Sequence, residues 1–146
     1  MVIIVTGGRD FNTYSVIDNV LSMLHSQEPI TLLAQGACGI TREHGVDSGR
    51  AKGADGLARE WATLKGISVS DFPVDHDIDG PWPAAGPRRN GRMLRTVKDA
   101  VGGSRALVVG FEGGRGTADC LRQAKAIGLK AMRIVGTGPF YTEPVT

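Results

Sequence analysis

Short, β-branched apolar runs that stop at glycine recur along this chain, each followed by a stretch of helical periodicity. The first is Val2-Ile3-Ile4-Val5-Thr6, halted by Gly7-Gly8. A run with no polar alternate predicts a strand covered on both faces, as in a parallel sheet. Ile30–Ala34, Ile67–Phe72, Ala106–Phe111 and Leu129–Val135 repeat the pattern. Between them Val16, Val20, Leu21 and Leu24 recur at helical spacing, with Asn12 or Thr13 placed to cap the helix. Leu57, Ala58, Trp61 and Leu64 share one face of a helix over 54–64, and further helices are expected over 89–100 and from about 118 to 127. Strand–helix alternation of this kind predicts an α/β fold, a parallel sheet of about five strands with helices on both faces.

At 146 residues the chain fits one domain, expected over 1–135. An irregular loop is expected over about 38–50 and a C-terminal tail over 136–146. Net charge is +2, from 17 basic and 15 acidic residues, which excludes a strongly basic coat but allows a local phosphate site. Two cysteines, Cys38 and Cys120, with no CxxC, exclude a disulfide framework and argue against structural zinc. The N-terminus reads as a buried strand instead of a signal peptide. No apolar run approaches the roughly 18 residues of a membrane span. The expectation is a soluble, cytoplasmic protein with no membrane partner, metal or cofactor.

Ligands of open α/β sheets bind beyond the carboxyl ends of the strands. Three loops expected at that edge are glycine-rich: Thr6-Gly7-Gly8-Arg9-Asp10-Phe11, Gly53-Ala54-Asp55, and Gly113-Gly114-Arg115-Gly116-Thr117. Glycines let backbone approach a ligand, and a helix starting just afterwards adds the positive end of its dipole. A phosphate is the natural guest. Neither a P-loop nor a Gly-x-Gly-x-x-Gly follows the first strand. Arg88-Arg89-Asn90 are expected to open a helix, where adjacent arginines oppose the dipole and a bound anion would offset that cost.

Other candidates have plainer readings. Asp75-His76-Asp77-Ile78-Asp79-Gly80 imitates the start of a calcium loop, but its twelfth position is Gly86 instead of Glu. Trp82 could cover a base, although a lone Trp more often packs. His25 and His44 have no ligand-spaced partner, and Cys120 reads as a buried structural thiol. Arg88, Arg92 and Arg95 share a helical face, yet the low net charge and few aromatics argue against nucleic acid as a partner.

Four ordered motifs spread over 1–135 resemble the YspA-type SLOG family, a Rossmann-like family common in bacteria and their phages. They are Gly7-Gly8-Arg9-Asp10-Phe11, Gly53-Ala54-Asp55-Gly56-Leu57-Ala58, Ala85-Gly86-Pro87-Arg88-Arg89-Asn90 with Met93, and Gly113-Gly114-Arg115-Gly116-Thr117-Ala118-Asp119. The resemblance implies a Rossmann-like sheet, binding of a nucleotide-derived molecule (an NAD, ADP-ribose or cyclic nucleotide type of signal) and homo-oligomers. The loop at 38–50 looks like an insertion relative to that family. The related lonely-guy phosphoribohydrolases carry Pro-Gly-Gly-x-Gly-Thr-x-x-Glu. Here Glu112 stands at the Pro position and Cys120 at the catalytic Glu position.

The leading expectation is therefore a binding protein that senses or sequesters a phosphorylated ligand. The backbone amides of Gly113, Gly114, Arg115, Gly116 and Thr117 would cradle phosphate, and Arg88, Arg89 and Arg115 would add charge. Gly7, Gly8, Arg9 and Asp10 would hold ribose or a second phosphate, with Phe11 against the base and Gly53, Ala54, Asp55 and Asn90 at the same edge. The alternative is a nucleotide N-glycosidase. Its oxocarbenium-like transition state needs a carboxylate that Cys120 does not supply, leaving Asp10, Asp55 and Asp119 as catalytic candidates.

Overall fold

The computed structural model describes residues 1–43 and 45–145. The chain runs β1 (Val2–Thr6), α1 (Tyr14–Gln27), β2 (Leu32–Gln35), β3 (Thr41–Glu43), β4 (Val46–Asp47) and α2 (Gly53–Leu64). It continues with β5 (Ser68–Asp71), β6 (Val74–Asp75), α3 (His76–Asp79), α4 (Ala85–Val101), β7 (Ala106–Gly110), α5 (Arg115–Ala126), β8 (Lys130–Val135) and β9 (Tyr141–Pro144). The main sheet has six strands in the order β5-β2-β1-β7-β8-β9. The first five are parallel, with Val2 of β1 opposite Leu32 on one side and Ala106 on the other, and β9 is antiparallel.

Every residue of β1 is buried, because both faces of the sheet are covered. Ile3 and Val5 pack with Leu33, Val109 and the inner faces of α1 and α2, including Val20, Leu21 and Trp61. Val2 and Ile4 point the other way, toward Met93 and Leu94 of α4 and Cys120 and Leu121 of α5. The apolar run of β1 is thus read by two separate cores, as its lack of alternation requires. No helix among the described residues is long and apolar enough to cross a membrane.

The structure corrects the sequence reading in four places. The sheet has a sixth strand, β9, drawn from the segment expected to be a tail. Its Tyr-Thr-Glu-Pro sequence has little apolar alternation, and Pro144 is tolerated because β9 lies at the sheet's edge. The 38–50 stretch contains β3 and β4, which join β6 in a three-stranded sheet of order β4-β3-β6. These strands are two or three residues long and mostly polar, too short to show a period. The stretch 73–87, between the expected strand over 67–72 and the expected helix over 89–100, holds β6 and the short α3.

Finally, α4 begins at Ala85, a turn before the expected Arg89, because Pro87 falls within its first turn, where its missing N–H costs nothing. Arg88 and Arg89 consequently lie beyond the helix mouth, and the dipole conflict expected for them does not arise there. His44 lies outside the described residues.

Candidate functional site

The carboxyl ends of β1 and β7 lie side by side, and chain order reverses across them, since β1 leads outward to β2 and β7 to β8. A crevice at such a reversal is where open α/β sheets receive ligands. Here it is a cleft of about 250 Å³, lined from five directions by Gly8, Gly36, Asp55, Asn90 and Thr117 among others.

The loops after β1 and β7 are laced together. Phe111 N donates to Thr6 O at 2.8 Å and Gly8 N donates to Glu112 O at 2.9 Å. The approach is so close that a Cβ on Gly113 would stand 2.6 Å from Gly8 N and 2.9 Å from Gly8 Cα. The α2 entrance docks on the same knot. Ala54 N donates to Gly8 O at 3.2 Å. Gly53, at φ +62°, would drive a Cβ to 2.1 Å from that same oxygen. The sequence reading assigns these glycines to ligand contact. Gly7 and Gly8 do line the cleft, but the Gly8 and Ala54 amides are committed to the protein.

The free amides lie one step further on. Helix α5 starts at Arg115 with Gly114 as its N-cap and no side-chain cap. Its first backbone bond runs from Ala118 N to Gly114 O at 3.1 Å. The N–H groups of Arg115, Gly116 and Thr117 have no intrahelical acceptor, as at any helix start. A Cβ on Gly114 or Gly116 would meet nothing within 4 Å. Gly114, Gly116 and Thr117 line the cleft, so the uncapped positive end of α5 opens into it.

Opposite stands Asp55, in the first turn of α2 and only 5% exposed. Its Oδ2 accepts from Cys38 N at 3.1 Å. Its Oδ1 is buried with no hydrogen-bond partner among the described residues. Burial pushes the carboxyl up to about 6, against the opposing pull of the Arg89 charge and the Cys38 and Gly36 amides. The Cys38 amide is aimed by a backbone in an unfavourable conformation: Ala37 has φ +49° and its N–H donates to Gln35 Oε1 at 2.5 Å. Non-glycine residues held in this region are uncommon and concentrate at functional sites.

Arg89 lines the cleft, but its guanidinium is spent on structure. It donates to the carbonyls of Gly36 and Phe72 and to Asn90 Oδ1. Asn90, in turn, donates to Gly116 O at 3.3 Å and to Asp119 Oδ2 at 3.1 Å, tying α4 to the first turn of α5. Asp119 also accepts from Gln123 and Arg122 and does not line the cleft; its bonds tie α4 to α5. Asp10 is exposed and outside the cleft lining. Phe11 is buried in the core with its ring 5.6 Å from that of Phe111, and offers no open face to a base. Arg9 is exposed at the cleft wall, whereas Arg88 and Arg115 are exposed outside its lining.

The remaining candidates have structural roles. Burial pushes the Cys120 thiol up to about 12, which keeps it protonated at neutral pH. His25 Nδ1 accepts from Ile30 N at 2.9 Å and closes the turn after α1. The calcium-like acidic run is consumed internally. Asp75 caps α3, and buried Asp79 pairs with Arg92 at 2.8 Å, which also occupies one of the arginines of the basic face. Gly36 and Cys38 are cleft residues that sequence reasoning missed. Their signal was present, since Gly36 directly follows β2 at the same sheet edge. No protein-family model matches the chain, and no curated protein matches it.

Proposed function

We propose that this protein binds a phosphorylated, nucleotide-derived small molecule in the cleft beyond β1, β2 and β7. The observation that carries this is the pairing, in one cleft, of the uncapped α5 N-terminus with the buried carboxylate of Asp55, whose Oδ1 has no partner among the described residues. Phosphate oxygens accept from the amides of Arg115, Gly116 and Thr117 and from the Thr117 hydroxyl, with Arg9 adding charge at the wall. A sugar hydroxyl donates to Asp55 Oδ1, which gives the orphaned acceptor its partner. A cleft of about 250 Å³ suits a mononucleotide or cyclic nucleotide better than a dinucleotide.

Two features support the Rossmann-like, SLOG-type reading. Counted along the chain, the five parallel strands run in the order 3-2-1-4-5. Residues from all four motifs, Gly8, Asp55, Asn90 and Thr117, meet in the cleft.

The test is to incubate the purified protein with nucleoside phosphates, NAD, ADP-ribose and cyclic nucleotides, ultrafilter it, and chromatograph both the filtrate and the compound released from the heated retentate. An intact phosphorylated compound retained by the protein is expected. Retention of none, at protein concentrations in the hundred-micromolar range, refutes the proposal.

A second reading, cleavage of an N-glycosidic bond, is favoured by one observation. Asp55 is a cleft carboxyl whose ordinary range has been raised to about 6, where it can hold or release a proton near neutrality. It is the one of the three candidate carboxylates that lines the cleft. Free base in the filtrate, lost in Asp55→Asn, is the signature of that activity.

A further inference from the structure

The cleft's lining contains no aromatic side chain. One exposed aromatic stands beside a residue of that lining. Trp82 is 59% exposed, far more than is usual for so large an apolar surface, while the other tryptophan, Trp61, is fully buried. The Trp82 ring lies beside Gly86, with Cζ3 3.7 Å from where a Cβ on that glycine would stand. Gly86 itself lines the cleft, so the ring neighbours a residue of the cleft wall.

The ring is also held in place. It meets His76 edge-on, with centroids 5.4 Å apart at 78°, and His76 Nδ1 donates to Gly80 O at 2.8 Å. The segment beneath it is anchored by the Arg92–Asp79 pair. An exposed indole held beside the cleft wall has π-surface to offer.

We infer that Trp82 is the base platform of this site: the ligand's phosphate and sugar occupy the cleft, and its aromatic base extends past Gly86 to stack on the exposed indole. The inference rests on the proposed binding of a nucleotide-derived ligand and adds the residue that reads the base. Stacking discriminates little between bases, because each presents a π-face. The site therefore prefers nucleotides over sugar phosphates without strong preference among bases. Loss of base–aromatic stacking typically lowers affinity by about tenfold or more.

The experiment compares ribose 5-phosphate with the four common nucleoside 5′-monophosphates, using calorimetry and intrinsic fluorescence. All four monophosphates are expected to bind about tenfold tighter than ribose 5-phosphate and to quench the emission of the exposed tryptophan. Trp82→Ala should bring them down to the affinity of ribose 5-phosphate, whose own binding is unchanged. Trp82→Phe should retain most of the preference. Equal binding of nucleotide and ribose 5-phosphate, with no quenching, overturns the inference and leaves the proposed function standing. A nucleotide preference that survives Trp82→Ala overturns it equally. Binding of neither class overturns both.

Discussion

Asp55 lowers the stability of the protein that carries it, and the size of that penalty follows from its burial. Its carboxyl titrates near 6 in the fold, against an ordinary value of 3.8. At about 1.4 kcal/mol per pH unit, that difference amounts to about 3 kcal/mol. A raised carboxylate binds its proton more tightly folded than unfolded. Below about pH 4 Asp55 is neutral in both states and there is no penalty. The penalty grows as pH rises between about 4 and 6 and is complete above that. Asp55→Asn removes the ionisation.

The Asn amide adds a pH-independent offset of about 1–2 kcal/mol, because its N–H group is buried where Oδ1 already has no partner. The pH dependence is therefore the clean signal. Urea unfolding of both proteins from pH 4 to pH 8 should show the variant gaining about 3 kcal/mol relative to the native protein across that range. Ligand binding should fall in the same variant, because the sugar hydroxyl loses its charged acceptor. A flat difference, or a variant that loses ground as pH rises, would mean that Arg89 stabilises the carboxylate more than burial penalises it. That result would remove Asp55 as a residue retained for function at the expense of stability.

Further outcomes follow from neighbouring residues. Arg89→Ala removes the guanidinium from the Gly36 and Phe72 carbonyls and should cost about 3 kcal/mol. Its melting temperature should drop by roughly 8 °C, and an unchanged melt would show that these bonds contribute nothing. Two glycines close together in sequence should behave oppositely in urea. Gly113→Ala drives a Cβ into the Gly8 backbone and should lose at least about 2 kcal/mol. Gly116→Ala, on an open helix face, should gain about 0.5–1 kcal/mol while weakening ligand binding. With Cys120 buried and pushed to about 12, a thiol reagent at pH 8 should label only Cys38 in the native protein and both cysteines in denaturant. Bound ligand should protect Cys38, which lines the cleft.

The parallel strands were legible because burial on both faces removes polar alternation, and Val2–Thr6 and Ala106–Gly110 carry that imprint plainly. The short polar strands β3, β4 and β9 were not, because two to four mostly exposed residues show no apolar period and are strands only through their pairing. In the site, composition located the loops but not the use of each amide. Whether Gly8 N–H faces a ligand or the Glu112 carbonyl depends on two loops that meet only in the fold. The same holds for carboxylates. Asp10, Asp55 and Asp119 stand equal in the sequence, yet packing leaves one exposed, one paired with an arginine, and only Asp55 buried without a partner for one oxygen.

The most direct test of the account is a nitrogen–proton correlation spectrum of the labelled protein titrated with ribose 5-phosphate. The largest shifts should fall on the amides of Gly114, Arg115, Gly116 and Thr117, with smaller ones at Gly36 and Cys38 beside Asp55. Shifts confined to the exposed face of α4, around Arg88 and Arg95, or none at all at millimolar ligand, would contradict a phosphate site at the start of α5.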